Sequence, residues 1–495
     1  MSIKISDTRP QKRTKIVATI GPASHNEATL RKMIKAGLDV VRINFSHGKA
    51  AENAPLVQLI RNLSKEMNVP IAILGDLRGP RIRVGEIAGD SVELEAGQKF
   101  VLTAEQIPGN KERVCVSFAK LAQDVSVGSQ ILLDDGNIEL AVEQIGGDGE
   151  IHCRVTEPGT LSSRRGVNLP GRRVSLPSLT HKDFEDINFA IQHDFDFLAL
   201  SFVQSVDDVR LLKAYLASQD ADIPVIAKIE RQNALNDIDN IVQEADGVMV
   251  ARGDLALEMS LQDVPIAQKR IIAACRRRAI PVITATQMLE SMVHSHKPTR
   301  AEVTDVANAI LDGTDALMLS GETAIGKYPA ETIAMMSQIA LRTESAWMKD
   351  ELPGPPALPL PDSIDANIAY VSQVAAQSVK AKAVIIHTTT GSTARRVACH
   401  RPKIPILALS AQEKPRRLLA LTWGVESARV DTIQNTKHMV YLSFHQAIKC
   451  GYAAVGDIVV LTAGTPYGTA GRTNMLKIEE VLDVSLEEFD QLADD

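Results

Sequence analysis

Lys228 and Glu230 stand two residues apart at the end of the apolar run Val225–Ile226–Ala227. Residues two apart on a strand point to the same side, so an ammonium and a carboxylate share a face there. Other apolar runs end in similar groups. Arg42, Asn44 and Ser46 alternate by two, with His47 next to them; Asp76 is followed by Arg81 and Arg83. Arg252, Gly253 and Asp254 end a further run, Thr286 the next, and Ser320 and Glu322 the last. Singly, each reads as a solvated strand end, and a lone surface Lys–Glu pair stabilises little. His47 by itself reads as a capping or packing residue. On one rim they make a set: the carboxylates of Asp76, Glu230 and Asp254 with the cations of Arg42, Arg83 and Lys228. Carboxylates without a histidine cluster suit Mg²⁺ rather than zinc, with water and phosphate oxygens completing its shell. Arginines and a lysine beside such an ion suit a phosphorylated anion. Phosphoryl transfer needs mainly positioning and charge neutralisation, which this set offers. Gly253 and Asp254 lie where a strand turns into a helical segment, whose N–H groups can hold a carboxylate or phosphate.

These groups can meet only if the runs are neighbouring strands. Eight runs alternate with helix-like stretches: 15–24, 39–48, 70–79, 195–205, 224–230, 246–255, 281–291 and 315–324. Continuous apolar runs of this kind imply parallel strands covered on both sides. Eight units predict a (β/α)₈ TIM barrel with its site at the C-terminal strand ends; a doubly wound open sheet is the rival and leaves the eight similar ends unexplained. The barrel takes residues 1–79 and 178–350. Residues 80–177 change texture to short alternating segments with a Gly-Gly-Asp-Gly turn at 146–149, an inserted all-β domain placed to act as a hinged lid. Five prolines in residues 351–362 mark a semi-rigid linker. Residues 363–480 alternate helix and strand again, a third, α/β domain, and 481–495 form an acidic tail.

The 495 residues carry a formal net charge of −7, a poor prior for nucleic-acid binding. The five cysteines are dispersed and form no Cys-x-x-Cys pair, which argues against a disulfide framework or structural zinc. The polar, basic N-terminus is not a secretory signal, and no run of 18 apolar residues offers a membrane span. The expectation is a cytoplasmic protein.

To about residue 480 the chain resembles the pyruvate kinase family. The stretches that carry the likeness include TKIVATIGPAS, RINFSHG, GDLRGPRIR, AKIERQNAL, VMVARGDLALE, ITATQMLESM and TRAEVTDVANAILDGTDALMLSGETAIGKYP. The resemblance implies a barrel, a small β-barrel lid and an α/β C-terminal domain, commonly as a homotetramer. It implies transfer of a phosphoryl group from phosphoenolpyruvate to ADP, giving pyruvate and ATP. By motif, Glu230 and Asp254 would bind Mg²⁺, and Lys228 would stabilise the transferring phosphoryl group. Arg42 and Arg83 would clamp phosphates. Gly253, Asp254 and Thr286 would hold the substrate carboxylate, with Asn44, His47, Arg83 and Arg165 toward the nucleotide. Asn44, Ser46, Asp76 and Leu77 match the family's monovalent-cation pattern.

Three positions depart from common family residues. Many members carry a glutamate at the place of Arg81 and require K⁺; others carry lysine there, with leucine at the place of Leu77, and do not. The expectation is that Arg81 substitutes for K⁺. Thr304 takes the place of a serine linked to the proton relay, and Arg165 that of a lysine on the lid. In the C-terminal domain, Thr388, Thr389, Thr390, Gly391, Ser392 and Thr393 form a hydroxyl-rich loop entering a helix, a phosphate cradle or simply a capped helix. The resemblance makes it an effector pocket, with Ser392 where an arginine is usual, and implies activation by a sugar phosphate or nucleotide. Two rival functions fit less well. A Mg²⁺-dependent phosphoenolpyruvate or pyruvate lyase or aldolase leaves the lid unexplained, and a non-catalytic metabolite-binding regulator leaves Lys228, Glu230, Asp254 and Thr286 unexplained.

Overall fold

A computed structural model describes residues 9–46, 48–147, 149–465 and 472–482. His47, Asp148 within the predicted turn, and all but the first two residues of the predicted acidic tail lie outside the described residues.

Eight strands close a parallel barrel. In chain order they are Lys15–Thr19, Val40–Asn44, Ala72–Asp76, Phe197–Leu200, Val225–Ile229, Gly247–Ala251, Val282–Ala285 and Ala316–Leu319. The first, third, fourth, sixth, seventh and eighth are buried at every residue, which is why they read as unbroken apolar runs rather than as alternation. In-register pairing brings Asn44 opposite Asp76 and Lys228 opposite Met249. Helices between the strands cover the outside. The helix Arg300–Asp312 shows the local logic. Thr299 and Glu302 form a capping box at its start, and Gly313 ends it at φ 97°, where a side chain would be strained.

The insertion between the third and fourth strands has its own apolar core, including Phe100, Leu102, Leu133, Leu140 and Val155. Its strands form a six-stranded sheet and a two-stranded ribbon. Among the described residues, the β-barrel implied for the lid is thus two sheets round one core, without a continuous closed ladder. Strands Ile138–Ile145 and Ile151–Glu157 pair antiparallel across the predicted turn. The C-terminal domain is a five-stranded sheet in the order Val425–Arg429, Ile406–Ser410, Ala383–His387, Ile458–Ala463, Met475–Glu480, the last strand antiparallel. No helix among the described residues is long and apolar enough to cross a membrane.

Candidate active site

The barrel strands deliver their last residues to one mouth. Arg42 leaves the second strand and donates from Nε to Asp76 Oδ2 at 2.7 Å and from Nη1 to Thr19 Oγ1 at 2.8 Å. Asp76 ends the third strand and is 1% exposed. Its other oxygen lies 3.2 Å from Lys228 Nζ, and Lys228 also pairs with Glu230 Oε1 at 2.9 Å. The two-residue spacing on the fifth strand therefore does set the ammonium against the carboxylate. Burial pulls the Lys228 ammonium toward neutrality, but Asp76 and Glu230 hold its pKa above the usual lysine range. For Asp76 burial acts upward, and Lys228 with Arg42 overcomes it, leaving the carboxyl below its usual value. Glu230 moves the other way: burial raises it, and nearby Asp254 adds to the rise against the pull of Lys228.

Sequence reasoning passed over the fourth strand. Ser201, just beyond it, accepts from Lys228 Nζ at 2.6 Å and donates to the Leu77 carbonyl at 2.7 Å. The Phe202 N–H donates to Glu230 Oε2 at 2.6 Å, with Phe202 held at φ 57°. The visible signal was the polar Ser201 ending the run Phe197–Leu200. A serine is too common at strand ends to single out without its partners.

Asp254 lies in a four-residue helical turn, Arg252–Leu255. Among the described residues its carboxylate has no ion-pair partner, while Glu230 feels its charge. Two carboxylates close enough to repel, one unpaired, suit an added hard cation. Among the described residues no three His, Cys, Asp or Glu side chains gather for a metal, so such an ion would take its remaining ligands from water and substrate. The Gly253 N–H is not free as expected. It donates to Thr286 Oγ1 at 2.9 Å, and that hydroxyl donates to the Ala285 carbonyl at 2.6 Å. Thr286 sits at φ 69°, a costly conformation for a β-branched residue. Arg252 braces this corner through Asp305 and the Thr286 carbonyl. Glu322 at the eighth strand is a scaffold group: it is 1% exposed and accepts the N–H groups of Ser320 and Leu289.

Among the described residues, none of the other predicted residues forms an ion pair with Asp76, Lys228 or Glu230. The Arg81 guanidinium pairs with Asp135 on the lid, not with Asp76. Asn44 Oδ1 accepts from the Ser46 N–H at 3.0 Å, and Leu77 is buried. Arg83 donates to the Arg164 carbonyl; desolvation and the charges of Arg81 and Arg78 depress its pKa. Arg165 is half-exposed on the lid, 3.2 Å from Asp134. Thr304 is exposed on its helix and donates to the Arg300 carbonyl. In the C-terminal domain, Thr388, Thr389, Thr390, Ser392 and Thr393 line a cavity of about 150 Å³ with His387 at its edge. Thr388 Oγ1 accepts the Gly391 N–H at 2.8 Å, and Gly391 takes φ 83° to start the helix Ser392–Ala398.

Comparisons with known proteins agree with this architecture. The family model for the pyruvate kinase barrel domain matches residues 11–333, and that for the pyruvate kinase alpha/beta domain matches residues 366–479. Pyruvate kinase 2 of Synechocystis sp. is 45% identical over 473 residues, covering 95% of this chain and 79% of the relative. Pyruvate kinase of Geobacillus stearothermophilus is 42% identical over 480 residues, covering 96% and 81%. The crystal structure of a pyruvate kinase from Cryptosporidium parvum superposes with a TM-score of 0.89 at 35% identity, covering 95% of this chain and 97% of that one. With both domain models matched in chain order and relatives of this identity along nearly its whole length, the chain belongs to the pyruvate kinase family.

Proposed function

We propose that the chain carries out its family's reaction through Lys228, Glu230 and Asp254, moving a phosphoryl group from phosphoenolpyruvate to ADP. The observation that carries this reading is the Asp76–Lys228–Glu230 chain at the barrel mouth, both carboxylates buried, beside Asp254, which has no ion-pair partner among the described residues. Glu230 and Asp254 would hold Mg²⁺, which when bound supplies charge neutralisation to the phosphate oxygens. Lys228, kept cationic by Asp76 and Glu230, faces the phosphoryl group as charge spreads over its oxygens in flight. Arg42 is held side-on by Asp76 and Thr19 and presents its remaining donors to the same phosphate. Thr286 and the amides of Gly253 and Asp254 receive the substrate carboxylate, for which the Gly253–Thr286 bond must be exchanged. Arg83, Arg165, Asn44 and His47 serve the nucleotide side, and Thr304 lies on the proton-relay helix.

The monovalent-ion reading is that Arg81 replaces K⁺, with its guanidinium leaving Asp135 as the lid moves. Full turnover in K⁺-free buffer supports it, and a many-fold stimulation by K⁺ refutes it. The Thr388–Thr393 cradle takes a phosphorylated effector, a sugar phosphate or a nucleotide; substrate curves unresponsive to a panel of both remove that reading. A homotetramer in the cytoplasm is the setting we infer for this chemistry. The test of the central reading is coupled detection of pyruvate and ATP from phosphoenolpyruvate and ADP. Pyruvate formed without ATP would mean transfer of the phosphoryl group to water, a phosphatase; formation of neither product would favour the lyase or aldolase reading.

A further inference from the structure

The floor of the barrel, opposite the active site, carries a fourfold repeat. An aspartate stands immediately before each even-numbered strand: Asp39, Asp196, Asp246 and Asp315. Each exchanges two hydrogen bonds with one residue of the strand before it. Asp39 does so with Ile16, Asp196 with Ile73, Asp246 with Val225 and Asp315 with Val282. In every case the aspartate N–H donates to that residue's carbonyl, and a carboxylate oxygen accepts its N–H at 2.8 to 3.1 Å. The four carboxylates thus fix the register of the four odd strands. A carboxylate out of water needs a cation. For Asp39 the cations come from the N-terminal arm, Arg9 and Lys12; Asp246, whose side chain is 40% exposed, pairs with Lys213.

For the other two, a cation comes from the C-terminal domain, joined at Asp196 by Arg61 of the barrel helix Ala54–Glu66. Asp196, fully buried, receives Arg417 Nε at 2.6 Å, with Arg61 at 2.9 Å on its other oxygen. Arg417 also reaches Asp194 at 2.7 Å. Asp315 receives Arg401 at 3.1 Å and the Trp423 N–H at 3.1 Å, and the Arg401 guanidinium lies 5.1 Å from the Trp423 ring centroid. Between these contacts Ala420 and Leu421 join the apolar cluster formed by the inward side chains of the barrel strands, such as Val17, Leu74 and Ile283. The C-terminal domain therefore plugs the barrel floor and holds two of its four register points.

We propose that Arg417 and Arg401 are positioning residues for phosphoryl transfer, each acting through an aspartate on one catalytic strand. Arg417 through Asp196 fixes Ile73, three residues before Asp76, which orients Lys228. Arg401 through Asp315 fixes Val282, four residues before Thr286. At about 3.3 Å per residue these lever arms are roughly 10 and 13 Å. The inference rests on the assigned roles of Lys228 and Thr286. It then predicts a split that simple loss of domain docking does not: the two arginines fail in different kinetic constants.

The test is steady-state kinetics and thermal unfolding of full-length Arg417→Ala and Arg401→Ala. Arg417→Ala should lower kcat at least five-fold, with KM for phosphoenolpyruvate within two-fold. Arg401→Ala should raise that KM at least five-fold, with kcat within two-fold. Both constants within two-fold in folded variants, or the same constant changed in both, overturns the inference. Should either alanine variant not fold, Arg417→Lys and Arg401→Lys decide. They keep the ion pair but not the second guanidinium bond, so the same split at two- to three-fold is expected, and its absence overturns the proposal. Lys228→Met run alongside separates the two levels. If it stays active, the reading of the site is wrong; if it is inactive while the arginine variants are silent, only the present inference is wrong.

Discussion

Replacing Lys228 by methionine tests the site most directly, because methionine keeps length and apolar volume while removing the charge. The Nζ atom has two carboxylate partners, Glu230 at 2.9 Å and Asp76 at 3.2 Å, and takes part in a 2.6 Å bond to Ser201. At an effective dielectric of 20, each charge pair near 3 Å is worth roughly 5 kcal/mol before desolvation is subtracted. Breaking a buried pair by deleting one partner typically costs about 3–5 kcal/mol. Here the cost falls toward the lower end, since Asp76 keeps Arg42 and Glu230 keeps the Phe202 N–H. The domain should therefore fold with a lowered Tm, and Glu230, relieved of its cation, should rise further in pKa and take up a proton more readily. Catalysis should suffer more. Losing one preorganised electrostatic donor costs roughly 10²–10³ in kcat, and a cation on a transferring phosphoryl group about 10³–10⁵. We expect kcat to fall by at least about 10³, or roughly 4 kcal/mol of transition-state stabilisation. The assay is pyruvate formation followed by coupled NADH oxidation, with circular dichroism confirming the fold. A folded variant with kcat within ten-fold of the parent refutes the assignment.

Further tests address other levels of the structure. His387 is buried, with Nε2 2.8 Å from Ser443 Oγ, and burial lowers its pKa from 6.5 to about 4. Its folded pKa lies below its unfolded one, so the unfolded chain binds the extra proton between those values and stability falls as pH drops from 6.5 to about 4. At about 1.4 kcal/mol per pH unit that is roughly 3 kcal/mol, and His387→Phe should flatten this stretch of a chemical-denaturation profile; an unchanged slope contradicts it. Gly75→Ala would put a Cβ 2.7 Å from Phe45 Cε2 and 3.1 Å from Leu198 Cδ2. Such overpacking costs about 1–3 kcal/mol beside Asp76, so both Tm and kcat should fall, and a neutral variant would show that the third strand gives way freely. Thr286→Val removes the hydroxyl bonded to the Gly253 N–H while keeping β-branched shape; KM for phosphoenolpyruvate should rise about ten-fold, and an unchanged KM would remove Thr286 from the carboxylate site.

Much of the fold was legible because its signals are local. A strand buried on both faces must be apolar throughout, so eight runs were visible without any partner, and Lys228 and Glu230 were assigned to one face by geometry that needs only their own strand. The lid and the linker showed through changes of texture that likewise need no distant residue. The pairings were not legible. Ser201 looks like any strand-end serine until Lys228 and the Leu77 carbonyl are on either side of it. The Gly253 amide looked free until Thr286 was seen to hold it. The Arg81 guanidinium meets Asp135 on the lid, a pairing between residues 54 apart that neither segment marks.

The sequence by itself determined which residues end the strands, and therefore the chemical types available to the site, because alternation and apolar burial are properties of each segment alone. Only the tertiary structure decided which of those groups meet, which are already spent on one another, and what supports them from below. Asp196 and Arg417 are 221 residues apart. One precedes a strand and the other lies on a short helix of another domain, and neither carries a mark of the other. Closing the barrel is what removes Asp196 from water, and a buried carboxylate is stable only with its charge answered. Arg417 answers it together with Arg61, and both pairings arise only in the assembled fold.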